Sequence, residues 1–224
     1  MRRKKHLEER LCACEDIIIS MYGEDKNFLT GVEKKEYIDL EKLFGNNNPL
    51  YLEVGCGKGR FAAELARRNP DKNILAVEKE SNVIVCAAEL AQEQNLKNLK
   101  FLLGPAELLP KFLKPDSVDR IYLNFSCPFP KKRYASHRLT HRSFLNIYKE
   151  IMKQGAEIHQ KTDNPRFFEF SIEQLSQSGF ALKNVTFDLY STDFEGNIPT
   201  EYEERFLNQG LNIYRLEAYL NTEE

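Results

Sequence analysis

From residue 50 onward, short apolar runs alternate with stretches of helical spacing, and that alternation restricts the fold more than any other feature. Leu50 to Val54, Asn73 to Glu78, Leu99 to Leu103, Val118 to Asn124, Ala156 to Lys161, Phe180 to Leu189 and Leu211 to Leu220 read as strands. Between them, Phe61 to Arg68, Asn82 to Gln94, Thr140 to Lys153 and Arg166 to Ser178 read as helices. Asn69-Pro70-Asp71 and Gly179 supply stop signals. Strand–helix alternation means right-handed βαβ crossovers, hence a largely parallel sheet with helices on both faces. The expectation is an α/β fold with one seven-stranded, mostly parallel sheet. No helix is evident between the last two runs, so the last strand is expected to be antiparallel. Residues 1–48 are expected to form an N-terminal helical extension, with Leu7, Leu11, Ile17 and Ile18 available to pack on the body, and residues 49–224 a single domain.

Composition excludes several classes. Of 224 residues, 42% are hydrophobic, which is enough for a core and rules out wholesale disorder. The longest apolar run, Val83 to Ala88, has six residues, against the ~20 that a membrane helix needs. Arg2-Arg3-Lys4-Lys5 is followed by Glu8, Glu9 and Arg10 rather than an apolar stretch, so it is not a signal peptide. Those four cations are either a mobile arm onto RNA or a solubilising tail. The five cysteines, Cys12, Cys14, Cys56, Cys86 and Cys127, are odd in number and scattered, which suits a reducing, cytoplasmic compartment. Cys12 and Cys14 lack a second ligand pair at metal spacing, so no zinc site is expected.

A net charge of −2 conceals an uneven distribution. Between Arg120 and Lys149 there are seven Lys or Arg and no acid, whereas from Asp193 to Glu224 eight acids face only Arg205 and Arg215. One basic face is the expectation, and a basic face suits a polyanion.

Glu53-Val54-Gly55-Cys56-Gly57-Lys58-Gly59-Arg60-Phe61 sits where the first strand turns into a helix. Glycines there let the backbone turn sharply and approach a ligand without Cβ clashes. A dinucleotide fingerprint wants glycine at the position of Arg60. An acidic residue followed by G-x-G-x-G instead suits S-adenosyl-L-methionine, which has no pyrophosphate and carries a cationic amino acid and sulfonium. Gly55, Gly57 and Gly59 are the candidate loop, and a tight turn without a ligand is the alternative. Glu78 ends the second strand, at the sheet edge where open α/β sheets bind ligands. Its carboxylate can accept both hydroxyls of a ribose, or it is simply a solvated strand end.

After the fourth strand, Cys127-Pro128-Phe129-Pro130-Lys131-Lys132-Arg133 is stiffened by two prolines and presents three consecutive cations, with His137 and Arg138 close behind. Lys131, Lys132, Arg133 and Arg138 would engage phosphates, which position a nucleic acid without reading its sequence. The alternative is a solvated surface loop. His137 and His141 have no third ligand nearby, so no metal is expected.

With these motifs in hand, the chain resembles the bacterial tRNA (guanine-N7)-methyltransferases over residues 15–220. The matching stretches are the Glu53 glycine loop, Val77-Glu78, Tyr122-Leu123-Asn124-Phe125-Ser126 through Arg133, Arg138-Leu139-Thr140, Lys161-Thr162-Asp163-Asn164, and Glu195 through Phe206. The resemblance implies a Rossmann-like class I methyltransferase fold that transfers the methyl of S-adenosyl-L-methionine to N7 of a guanosine in the variable loop of tRNA. It implies that Glu53 and Glu78 hold the donor, and that Lys131, Asp163, Thr200, Tyr202 and Glu203 hold the substrate nucleotide. Four positions depart from the family pattern. Pro105 before Ala106 stands where the family has a cofactor-contacting Asp, Cys127 replaces the acid of its Asp-Pro-Trp-Pro loop, with Phe129 for the Trp, and Tyr134 stands at a usual His.

N7 of guanine carries a lone pair and no proton, so its methylation needs no general base. Alignment supplies much of the rate, up to roughly 7–11 kcal/mol in well-oriented cases. A missing carboxylate near the purine removes a term of ~3 kcal/mol, so the expectation is weakened catalysis rather than impossible chemistry. Cys127 as a covalent nucleophile is not required. Asp163 would take the guanine N1–H and N2 edge, or else cap the helix after Pro165; Glu203 and Glu204 would face a base edge, or else pair with Arg205. A non-catalytic tRNA-binding paralogue and a nicotinamide-dependent oxidoreductase are the rival readings. Monomer and homodimer both stay open.

Overall fold

The computed structural model describes residues 4–22 and 36–220. It begins with α1 (Leu7–Cys12) and a short strand, β1 (Ile18–Ser20), then α2 (Leu40–Phe44), whose N-terminus is capped by Asp39. The regular alternation follows as β2 (Leu50–Val54), α3 (Arg60–Arg68), β3 (Asn73–Glu78), α4 (Ser81–Glu93) and β4 (Leu99–Leu103). A 3₁₀ turn (Ala106–Leu108) and α5 (Leu109–Phe112) lead to β5 (Val118–Asn124), α6 (Arg142–Ile151) and β6 (Met152–Thr162). Then come α7 (Pro165–Gln177), β7 (Phe180–Thr186), α8 (Glu201–Leu207) and β8 (Tyr214–Leu220).

The sheet has eight strands in the order β1-β4-β3-β2-β5-β6-β8-β7, one more than the sequence suggests. The extra strand is β1, parallel to β4 with Ile18 opposite Phe101, so the N-terminal extension is not wholly helical. Ile17 is buried and Ile18 half-buried, as expected, but Ile18 reaches the core from β1 and Ile17 from the turn just before it. As anticipated, β8 is the antiparallel member; it lies between β6 and β7 and pairs with both. The connection from β7 to β8 nevertheless contains a helix, α8. Asn184, with φ of 51°, breaks the register of β7, which stops at Thr186 rather than Leu189.

Parallel strands buried on both faces explain why β2 to β5 read as near-continuous apolar runs. One face packs Leu52, Val54, Leu75, Val77 and Leu123 under α5, α6 and α7. The other packs Ile74, Ala76, Phe101 and Leu103 under α3 and α4, with Phe61, Leu65, Ile84 and Ala88 facing them. Among the described residues no helix is long and apolar enough to cross a membrane. Arg2 and Arg3 of the basic arm lie outside the described residues. Lys4 lies on α4, its amide donating to Asn82 Oδ1 at 2.7 Å and its ammonium meeting the Cys86 thiol.

Candidate functional site

At the carboxyl ends of β2, β3, β4 and β5 lies a cavity of about 970 Å³. Glu53, Gly55, Gly57, Glu78, Pro105, Ala106, Cys127, Thr200 and Tyr202 all line it. So do Asn124 and Tyr22, to which the sequence assigned no role.

The glycine bend is fixed from β3. Gly55 and Cys56 both donate to the Val77 carbonyl, at 2.8 and 3.0 Å, and Gly57 donates to Glu78 Oε2 at 3.1 Å. Loop amides engaged in this way do not point at an anion, and Glu53, Glu78 and Glu80 all line the cavity. The Gly55, Cys56 and Gly57 amides are thus spent within the chain rather than offered to a pyrophosphate, which weighs against a dinucleotide. Gly55 and Gly57 hold positive φ with open space where a Cβ would be, apart from a distant Leu139 contact at Gly55. Gly59 does not line the cavity. Its φ is +76°, and a Cβ on it would meet Ala87 Cβ at 2.5 Å, so it permits close packing of α3 on α4.

Glu53 is buried, and Asn124 Nδ2 donates to its Oε1 at 3.1 Å. Its Oε2 is buried with no hydrogen-bond partner. Burial lifts this carboxyl to a pKa of about 7, although the Asn124 bond, the Lys161 charge and the Ala62 amide all oppose the rise. A buried carboxylate with an unused oxygen on a ligand-sized cavity is suited to a cation. Glu78 accepts one backbone amide on each oxygen, from Gly57 and from Glu80, and each oxygen keeps a further lone pair for a hydroxyl.

The segment after β5 carries positive φ at Phe125 (48°) and Phe129 (40°), an uncommon conformation for bulky residues. The Phe125 amide bonds to the Lys161 carbonyl at 2.9 Å, and Arg138 donates to the Phe129 carbonyl at 3.0 Å while lying 4.3 Å over the Phe170 ring. Arg138 therefore holds the Pro-Phe-Pro loop and is not a free phosphate ligand. Lys131, Lys132 and Arg133 are exposed, without a carboxylate partner among the described residues. The expected single basic face shrinks accordingly. Arg120 pairs with Glu157 at 2.9 Å on the sheet, and Lys149 bonds to the Ser178 carbonyl and sits by Phe180. His137 is close to Phe129 and Tyr134, whereas His141 caps α6 by accepting from Ser143 N, so the two do not converge on a metal.

Asp163 stands beyond β6, outside the cavity and one strand over from Asn124. Its capping alternative falls away, because Asn164 caps α7 by accepting from Phe167 at 2.9 Å. Partial burial raises the Asp163 carboxyl above its ordinary value.

Thr200 and Glu203 are occupied within the chain. They form a reciprocal capping box at the start of α8, the Glu203 amide donating to Thr200 Oγ1 at 3.0 Å and the Thr200 amide to Glu203 Oε2 at 3.3 Å. The fully buried Glu203 also accepts from Lys161 Nζ at 2.5 Å, Tyr190 at 2.8 Å and Asn197 at 2.6 Å. Burial lowers the Lys161 pKa, and the charges of Glu203 and Glu53 resist that. These contacts correct the reading of Glu203 as a base-edge ligand, and Arg205 is not its partner either. Glu201 instead meets Lys58 at 3.0 Å and Glu204 meets Arg60 at 2.8 Å, so the acidic segment clasps the glycine loop. Tyr202, 54% exposed, is the member of the motif left facing the cavity with its side chain available.

Comparison with known proteins agrees with this geometry. The sequence profile of a family described as putative methyltransferases matches residues 47–216. A Bacillus cytotoxicus protein named tRNA (guanine-N(7)-)-methyltransferase is 44% identical over 200 residues, covering 89% of this chain and 92% of that one. Among solved structures, an antibiotic-related methyltransferase superposes with a TM-score of 0.61 at 20% identity, over 84% of this chain and 98% of its own. The 16S rRNA methyltransferase KamB gives 0.61 at 18% identity, over 83% and 95%. At such identities the structures speak for the fold alone.

Proposed function

The chain belongs to the tRNA (guanine-N(7)-)-methyltransferase family, and on that footing we propose that it transfers the methyl group of S-adenosyl-L-methionine to N7 of a guanosine in the variable loop of tRNA. One observation carries the donor half of this reading: the buried Glu53 carboxylate has an unpartnered oxygen on a ligand-sized cavity beside the glycine bend. Bound S-adenosyl-L-methionine supplies an electrophilic methyl group on a positively charged sulfur. Glu53, fixed by Asn124, balances that positive charge, and Glu78 accepts the ribose hydroxyls.

On the substrate side, Lys131, Lys132 and Arg133 engage backbone phosphates and set the register of the RNA. Tyr202 provides an aromatic surface for the target nucleoside. Asp163 accepts from the guanine N1–H and N2 edge, and its negative charge offsets the positive charge that develops on the purine as N7 is alkylated. No residue needs to remove a proton from N7, so positioning and charge compensation are the whole task of the chain. Cys127 and Pro105, in the cavity wall, supply neither charge nor proton.

Transfer of labelled methyl from S-adenosyl-L-methionine to tRNA lacking the mark, followed by nucleoside analysis, is the test. Label recovered as 7-methylguanosine supports the reading. Tight tRNA binding with undetectable transfer would make the chain a non-catalytic paralogue, and calorimetric preference for NAD(P) would make it an oxidoreductase.

A further inference from the structure

The N-terminal segment ends in the same cavity. β1 runs parallel to β4, Ser20 lies opposite Leu103, and the Met21 amide extends the ladder to the Leu103 carbonyl at 2.9 Å. Immediately after β4, a Cβ on Gly104 would meet Met21 Cβ at 2.7 Å and its sulfur at 2.9 Å. Only glycine permits this approach, and the approach brings the next residue, Tyr22, to the wall of the cavity that Val83, Gly104 and Pro105 also line. The Tyr22 ring is half-buried and its hydroxyl donates to the Lys79 carbonyl at 3.3 Å.

The strand order arranges the cavity along one line: Glu53 at the end of β2, Glu78 at the end of β3, Gly104 to Ala106 after β4, and Tyr22 after β1. Successive strands are roughly 4.8 Å apart. A donor whose cationic end meets Glu53 and whose ribose meets Glu78 therefore projects its base toward the ends of β4 and β1. There Val83, Pro105 and Tyr22 contribute apolar and aromatic surface, which suits the flat face of a purine, with Glu80 at its margin.

We propose that Tyr22, delivered by β1 and the Met21–Gly104 contact, is the aromatic wall of the adenine pocket, so that the N-terminal segment completes the donor site. This rests on the donor reading given above. Losing an aromatic partner for a base weakens binding about 10-fold or more.

Titration calorimetry of S-adenosylhomocysteine against the full chain and its Tyr22→Ala and Tyr22→Phe variants tests it. Tyr22→Ala is expected to weaken binding about 10-fold, and Tyr22→Phe to bind within a few-fold of the parent. The chain has no Trp, so Tyr22→Trp installs a unique indole. Its emission should be quenched by S-adenosylhomocysteine, at the concentration found by calorimetry, and not by homocysteine. Parent-like affinity in Tyr22→Ala, or an unresponsive indole in a variant that still releases binding heat, overturns this inference alone. Absence of binding heat in the parent overturns the donor site and this inference together.

Discussion

Asn124 donates to one carboxylate oxygen of Glu53 at 3.1 Å, while the other, equally enclosed, accepts no hydrogen bond. The group is thus half satisfied, and burial lifts its pKa to about 7 against the Asn124 bond and the Lys161 charge. Below that value the free protein holds Glu53 protonated, and a cationic ligand must displace the proton. Affinity for S-adenosyl-L-methionine is expected to rise about 10-fold from pH 6 to pH 8, with proton release measurable by calorimetry in buffers of different ionisation enthalpy. Glu53→Gln should abolish both effects. Stability runs the other way: with a folded pKa above the unfolded one, the folded chain binds the extra proton between about 4.5 and 7. Stability is therefore lost as pH rises through that window, by on the order of 3 kcal/mol.

Lys161 and Glu203 are both buried, and removing one leaves the other charged and unpaired. Lys161→Met is expected to cost about 3–5 kcal/mol in urea unfolding. The double variant Lys161→Met/Glu203→Leu should recover only part, because Tyr190 and Asn197 lose their acceptor. A fully additive double variant would show that the two charges do not interact.

Replacing Lys131, Lys132 and Arg133 together with Ala should weaken tRNA binding and leave S-adenosylhomocysteine binding unchanged. The slope of log affinity against log salt is expected to shrink by roughly 0.7–0.9 per charge removed. An unaltered slope would place the RNA elsewhere. Arg138→Ala should behave differently, impairing the donor site as well, since it releases the Phe129 carbonyl.

Gly59→Ala forces a Cβ into Ala87 at 2.5 Å in a left-handed backbone. The expected loss is about 1–3 kcal/mol in denaturant unfolding. Gly57→Ala meets open space, so its loss should be limited to the backbone strain of φ +57°. Equal losses at the two sites would mean that α3 and α4 separate easily.

Much of this molecule is legible in the sequence, for identifiable reasons. β2, β3, β4 and β5 match their expected limits residue for residue, because strands enclosed on both faces are apolar throughout and bounded by turn residues. β1 escapes notice because three residues carry no periodicity, and its partner β4 is some eighty positions away. α8 did have a local sign: Thr200 and Glu203 spell a capping box, but read as ligand residues they conceal a helix start. Counting cations between Arg120 and Lys149 likewise misses orientation, since Arg120 turns onto the sheet toward Glu157 while Lys131 to Arg133 face solvent. Glu53 and Glu78 line the cavity where the sequence puts them, because a glycine bend and a strand end each fix where a side chain can go.

The two outer strands deny neighbouring molecules a template. β1 offers only three residues, and β7 loses its register where Asn184 adopts the left-handed conformation, with Lys183 placing a charge at the break. Short, kinked or charged margins discourage strand-on-strand aggregation. A sheet this wide and this apolar within therefore ends in two margins that offer an incoming strand little to pair with.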